Sequence, residues 1–215
     1  MKMIKREFDA IIFDCDGTLV DSEPITAKVL IDFVREFGLE LNYEDALPLF
    51  VGRDMPAIML VLESWMNSKL PETFSEEFRA RQASALREDL TAISGAHDLL
   101  GSLQRQFCVA SNAPQAKIEI NLTATGLSSF FTPDTTFSAY DINVWKPEPD
   151  LFLHAADKLN VEASRCVVIE DSQAGIDAGL AAGMQVIGYS HTPEEAATKE
   201  VPFVHCLTEL IEVLN

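Results

Sequence analysis

The sequence predicts an α/β protein: a three-layer α/β/α core on a parallel sheet, interrupted by an inserted all-helical domain. Three observations carry this. Short apolar, β-branched runs recur along the chain, segments of helical period lie between them, and residues 21–90 contain no such run. Strands that alternate with helices join through right-handed crossovers, so they lie parallel with helices on both faces.

The first run is FDAIIFD, residues 8–14, closing on Asp14. FCVASN, residues 107–112, closes on Ser111 and Asn112. CVVIED, residues 166–171, closes on Glu170 and Asp171, and QVIGY, residues 185–189, is the fourth. Runs of this kind suit strands buried on both faces. Residues 95–106, 114–125, 149–159 and 173–182 carry helical period between them. The insert reads as helices through ITAKVLIDFVREFG, with Gly38 as the stop, then EDALPLF, AIMLVLESWMNSKL and SEEFRARQASALRED, broken by Pro48, Pro56 and Pro71. The predicted division is a core of residues 1–20 and 91–215 around an insert of residues 21–90.

Of the 215 residues, 34 are acidic and 16 basic, a formal charge of −18. Chains that bind nucleic-acid phosphates present a basic face, so this charge argues against a nucleic-acid partner. It also repels anionic substrates, and a phosphorylated one requires a bound cation to offset the field. No apolar run reaches the length of about 18 residues that suggests a membrane span. The start, MKMIKREFDAIIFD, lacks the apolar run and small-residue cleavage site of a signal peptide. Cys15, Cys108, Cys166 and Cys206 show no metal-ligand spacing and read as buried, reduced thiols of a cytoplasmic protein.

Three strands end in polar residues, and open α/β sheets bind ligands beyond the C-terminal strand ends. Asp14, Asp16, Ser111, Asn112, Glu170 and Asp171 are therefore expected to converge. In Asp14-Cys15-Asp16-Gly17-Thr18, two carboxylates two residues apart, with a glycine to turn the backbone, suit a hard divalent cation and an attacking oxygen. An Asx-rich turn after a strand is the alternative reading of this pentapeptide alone. With Glu170 and Asp171 brought alongside, the carboxylates would repel strongly, and Mg²⁺ is the natural remedy. Lys146 stands in Trp145-Lys146-Pro147-Glu148-Pro149-Asp150, where the prolines stiffen its approach to the next helix. It is either a solvated surface charge or a fixed cation facing a phosphate. Ser111 and Asn112 are either turn residues or donors to an oxyanion.

Taken together, DCDGT at 14–18, SN at 111–112, KPEPD at 146–150 and EDSQAGIDAG at 170–179 resemble the four motifs of the haloacid dehalogenase superfamily. Their order covers the chain outside the insert, which falls where the helical cap falls in the subgroup of beta-phosphoglucomutases and small-sugar phosphatases. DSEP at 21–24 and Val51-Gly52-Arg53 also look like that subgroup. The resemblance implies a Rossmann-like core with a helical cap. It implies Asp14 as the nucleophile that becomes an aspartyl-phosphate, and Asp16 as the acid and then the base. Thr18 would position Asp16 and its loop. Ser111 and Lys146 would hold the phosphoryl group, with Asn112 supporting through its backbone. Asp14, the backbone carbonyl of Asp16, and Asp171 would ligate Mg²⁺, with Glu170 nearby or acting through water. Arg53 and Glu23 would read the far end of the substrate.

The chemistry agrees. A covalent intermediate splits a high barrier into two lower ones, and charge on the phosphoryl oxygens must be neutralised. An acid for the leaving alkoxide contributes roughly 10²–10⁴-fold. Members that displace halide need no such acid, so Asp16 favours phosphoryl chemistry. Phosphomutases of the subgroup carry a histidine where this chain has Thr26, and His97, His154, His191 and His205 all lie outside the insert. The expectation is a Mg²⁺-dependent phosphatase of a small phosphorylated metabolite, a sugar phosphate or a sugar-acid phosphate such as 6-phosphogluconate. The protein is expected to be a monomer or weak homodimer with no membrane partner. A sugar phosphomutase, or a non-catalytic binding protein on the same fold, is the alternative.

Overall fold

The computed structural model describes residues 7–49, 55–190 and 201–215. Six strands form one sheet: β1 (Ala10–Phe13), β2 (Gln106–Ser111), β3 (Thr136–Ser138), β4 (Cys166–Glu170), β5 (Gln185–Tyr189) and β6 (Phe203–Val204). They run in the order β3-β2-β1-β4-β5-β6, and every neighbouring pair is parallel. The chain leaves β1 toward one edge and later returns to fill the other, so the crevice where the order reverses lies at the end of β1. Register brings its borders together: Phe13 lies opposite Val109 on β2 and Ile169 on β4.

Side-chain alternation along the strands builds one apolar cluster on each face. Ile11, Phe13, Val109, Val167 and Ile169 pack with Leu99 and Leu100 of α5 (Ala96–Ser102) and with Ile118 and Leu122 of α6 (Gln115–Ala124). Ile12, Cys108, Ala110 and Val168 point the other way, onto Leu151, Phe152 and Ala155 of α8 (Asp150–Lys158) and Ile176 of α9 (Gln173–Ala181). A short turn, α7 (Ala139–Ile142), follows β3. The three-layer arrangement follows from strands that are apolar on both faces.

The region before β2 holds α1 (Glu23–Arg35), α2 (Tyr43–Ala46), α3 (Met55–Met66) and α4 (Phe74–Asp89). Gly38, at φ +84°, turns the chain out of α1, as its position in the sequence predicts. These helices share a third cluster of their own, centred on Leu30, Phe33, Ile58, Leu62, Phe74 and Phe78. Their two connections to the sheet run side by side. Ile93 N–H donates to Leu19 O (2.9 Å), Asp21 N–H donates to Thr91 O (3.1 Å), and Val20 bridges antiparallel to Ala92.

Two strands are additional to the sequence reading. β3 has three residues and β6 two, too short to show a period, and both are at the sheet's edges. The helix expected over 95–106 stops at Ser102, because Gln106 already belongs to β2.

Candidate active site

Asp14 is the first residue past β1, and its N–H donates to Ile169 O (2.9 Å), which fixes it beside the end of β4. The loop that follows turns through Gly17 at φ +82°. A Cβ there would lie 2.2 Å from Oδ2 of Asp171, so glycine is required by backbone conformation and by space. Thr18 does not reach Asp16. Its hydroxyl donates to Oδ1 of Asp171 (3.0 Å).

Lys146 is 3% exposed and sits at the centre. Its ammonium donates to Oδ1 of Asp14 and to Oε1 of Glu170, the latter at 2.8 Å. Asn112 holds the lysine's backbone from both sides: its Oδ1 accepts from Lys146 N–H (2.9 Å) and its Nδ2 donates to Lys146 O (3.3 Å). Its side chain thus positions Lys146, a role the sequence reading did not give it. Ser111 is buried at the end of β2, where its Oγ accepts from Ala113 N–H (3.1 Å).

Glu170 is buried, and its Oε2 accepts from Ser172 N–H (2.7 Å) and Ser172 Oγ–H (2.9 Å). Gly175 of α9 lets it stand there, since a Cβ on that residue would be 1.7 Å from Oε1 of Glu170. Asp14, Glu170 and Asp171 each offer an oxygen within 4.8 Å of the others. The sequence reading brought these three together, and the structure does the same.

Three carboxylates crowd together and only two of them, Asp14 and Glu170, meet the Lys146 ammonium, and the protonation equilibria reflect it. Burial pushes the Asp14 carboxyl up to about 8; Lys146 pulls it down, while Glu170 and Asp16 push it further up. Burial, then Glu170, Asp14 and Glu23, drive Asp171 well above the carboxylate range. Burial works against the charge on Lys146, but Asp14 and Glu170 outweigh it and hold the lysine charged. An all-oxygen donor set with surplus negative charge fits a hard divalent cation such as Mg²⁺.

Asp16 is held apart from this group. Its Oδ1 accepts from Nζ of Lys117 (2.7 Å), from Nδ2 of Asn121 (2.9 Å) and from the Ser22 hydroxyl. Burial raises its carboxyl, and these donors more than reverse that, leaving it below the usual range. The carboxylate of Asp16 therefore stands outside the trio; the metal role implied for this residue runs through its backbone carbonyl. Lys117 and Asn121 escaped the sequence reading. Their signal was available: a cation and a buried polar residue four apart, on one face of the helix that follows Ser111-Asn112.

A cleft of about 400 Å³ joins these groups to α1 and α4. Glu23 lines it, as does Thr26, whose Oγ1 accepts from Nε2 of buried Gln82 (2.9 Å). Arg53, with Val51 and Gly52, lies outside the described residues, and so does His191. His97, His154 and His205 stand away from the cleft: His97 pairs with Thr125 O, His205 with Ser190 O, and His154 meets the Phe137 ring edge-on. All four cysteines are free thiols; Cys15, Cys108 and Cys166 are buried, and Cys206 is half-buried. Among the described residues no helix is long and apolar enough to cross a membrane.

Comparison with known proteins agrees with this geometry. The chain is 36% identical over 198 residues to the 6-phosphogluconate phosphatase of Escherichia coli K12, covering 92% of this chain and 87% of that one. It is 30% identical to hexitol phosphatase A of the same strain, covering 93% and 91%. The crystal structure of a conserved haloacid dehalogenase-like protein from Agrobacterium tumefaciens str. C58 superposes with a TM-score of 0.80 at 33% identity, covering 96% of this chain and 97% of that one. Residues 8–183 match the family model described as haloacid dehalogenase-like hydrolase, and with the Asp14, Lys146 and Glu170-Asp171 cluster in place the chain belongs to that family.

Proposed function

We infer that this chain is a phosphoric monoester hydrolase acting on a phosphorylated sugar or sugar acid, with 6-phosphogluconate the leading candidate. One observation carries the reading: the nucleophile candidate Asp14, the cation Lys146 and the acids Glu170 and Asp171 meet at one point beyond β1. Of the named relatives one is a 6-phosphogluconate phosphatase, for a sugar-acid phosphate, and one a hexitol phosphatase, for the related polyols.

In the proposed reaction an oxygen of Asp14 attacks phosphorus, and the bond from phosphorus to the ester oxygen breaks. Asp16, two residues on, is held ionised at rest, so it takes a proton from solvent on the oxygen its three donors leave open and passes it to the leaving alkoxide. Water then attacks the aspartyl-phosphate, losing a proton to Asp16, and releases Asp14 and inorganic phosphate. Lys117, Asn121 and Ser22 occupy a single oxygen of Asp16 and fix its orientation for both transfers. Lys146 and the Ser111 hydroxyl neutralise and orient the phosphoryl oxygens. Asp14, Asp171 and Glu170 would hold a Mg²⁺, which when bound offsets the charge of the phosphate against these acids.

Thr26 bears on the mutase alternative. With Gln82 as its partner, that position offers no group that titrates near neutral pH, in favour of hydrolysis over isomerisation.

The test is phosphate release across a panel of sugar, polyol and sugar-acid phosphates, with Mg²⁺ and with EDTA. Turnover with Mg²⁺ and silence in EDTA are expected, and Asp14→Asn should fold normally yet lose at least about 10³-fold in kcat. Activity surviving in Asp14→Asn would remove the nucleophile. Silence across the whole panel would remove the phosphatase.

A further inference from the structure

We propose that Arg79 is the cap residue that recognises the carboxylate end of a sugar-acid phosphate, and so sets a preference for it over the corresponding polyol phosphate. The inference rests on the phosphatase reading above and deepens it.

The argument starts from helical spacing. Along α4, Arg79, Gln82, Ala83 and Leu86 line the same cleft as Asp14 and Lys146. With Phe78, which also lines it, they stand at 78, 79, 82, 83 and 86, one stripe of a helix, and Arg79 is the one charged side chain of that stripe.

The charges of the cleft single it out. Among the described residues three basic ones line it: Lys146, Lys117 and Arg79. Lys146 is committed to Asp14 and Glu170, and Lys117 to Asp16. Arg79 alone of the three pairs with no acid among the described residues. Its Nη2 donates to the Tyr140 hydroxyl (3.3 Å), and its guanidinium carbon stands 5.6 Å from the centre of the Tyr140 ring. In a chain with 34 acids and 16 bases, an arginine in the catalytic cleft without a carboxylate is set apart from the general run of ion pairs.

The neutral partner also fixes it in place. Tyr140 packs edge-on against Trp145 (5.3 Å between centroids), and Trp145 precedes Lys146 in the chain. The guanidinium is thereby set against the segment that carries the phosphate-facing lysine, while staying exposed enough to exchange its phenol contact for a ligand. A planar fork of donors recognises a carboxylate by two parallel hydrogen bonds, which an alcohol cannot reciprocate. With the phosphate at Asp14 and Lys146, the other end of an open-chain aldonic acid phosphate lies toward the cap, where Arg79 waits.

The experiment compares kcat/KM for 6-phosphogluconate and for glucitol 6-phosphate, which differ at C1 as carboxylate against hydroxymethyl. The wild-type enzyme should prefer the acid. In Arg79→Gln that preference should fall by about ten- to a hundredfold, carried in KM more than in kcat, the range expected for a lost charge-assisted pair. Arg79→Lys should keep part of the preference, since it retains the charge and loses the fork. A wild-type enzyme indifferent to the C1 group overturns the proposal, as does Arg79→Gln with an unchanged ratio or an equal loss on both substrates. Each of those outcomes leaves the phosphatase standing. Absence of phosphate release from any ester by the wild-type enzyme overturns both.

Discussion

The hydroxyl of Thr18 donates to Oδ1 of Asp171 over 3.0 Å, tying the loop after β1 to the end of β4 across 153 residues of sequence. The bond orients a carboxylate that would face the metal. Thr18→Val keeps the shape and removes the donor. The Mg²⁺ concentration for half-maximal phosphate release should rise about 10- to 100-fold, as when other partners of metal ligands are removed. A titration curve superimposable on that of the wild type would deny Thr18 this role.

Metal-free protein should lose stability as the pH rises. The Asp14 carboxyl stands at about 8 when folded, against 3.8 in an ordinary environment. Between those values the folded state keeps a proton that the unfolded chain has released. The free energy of unfolding therefore falls with pH, by at most about 1.4 kcal/mol per pH unit for one proton. Asp171, also raised, adds to the slope. The carboxyls that are lowered, Asp16 among them, act oppositely and only at acid pH. Melting temperatures in EDTA should thus decline from about pH 5 to 8, and saturating Mg²⁺ should flatten the decline. Equal slopes with and without the ion would contradict this.

Lys146→Met keeps the side chain's length and removes its charge, leaving Asp14 and Glu170 buried without the ammonium between them. Breaking a buried ion pair from one side costs about 3–5 kcal/mol. Uptake of a proton by Asp14 will absorb part of that, so the lower melting temperature should be clearest at alkaline pH. Activity should fall at least about 100-fold, and Lys146→Arg should not restore it, because the planar fork does not fit where a single nitrogen meets two acids. A variant that turns over at the wild-type rate would end the assignment.

Gly175→Ala tests how closely α9 is fitted to the site. The new methyl would lie 1.7 Å from Oε1 of Glu170, the oxygen that accepts from Lys146. The acid must shift or the helix must move. A loss of about 1–3 kcal/mol in urea denaturation is expected, with lower activity in the same preparation. Unchanged stability would mean that Glu170 has room that the structure does not show.

Legibility in the sequence followed the length of each signal. β1, β2, β4 and β5 are four to six residues long with mostly buried, largely apolar side chains, and each was readable. β3 and β6 are pairing events at the margins, of three and two residues, and no periodicity survives at that length. Among the site residues, those that close strands were readable because topology alone brings them together. Lys117 and Asn121 were readable as a polar pair on one face of α6 but not as partners of Asp16, and Ser22 not as one either, because only the packing of α6 and the start of α1 against the first loop brings them to its carboxylate. Asn112 was readable as a site residue and not as a clamp, since its partner lies 34 residues away. Arg79 sits in an ordinary charged helix, and nothing in its neighbourhood sets it apart until the cleft is seen.

The adjoining connections at Leu19–Asp21 and Thr91–Ile93 have an evolutionary consequence. Because the two ends of the helical segment are already hydrogen-bonded to each other, another module with neighbouring termini could be transplanted there without stretching the sheet. Bond-breaking machinery and substrate choice can then be inherited, exchanged or diversified independently, and lineages can acquire new metabolites while the chemistry stays as it was.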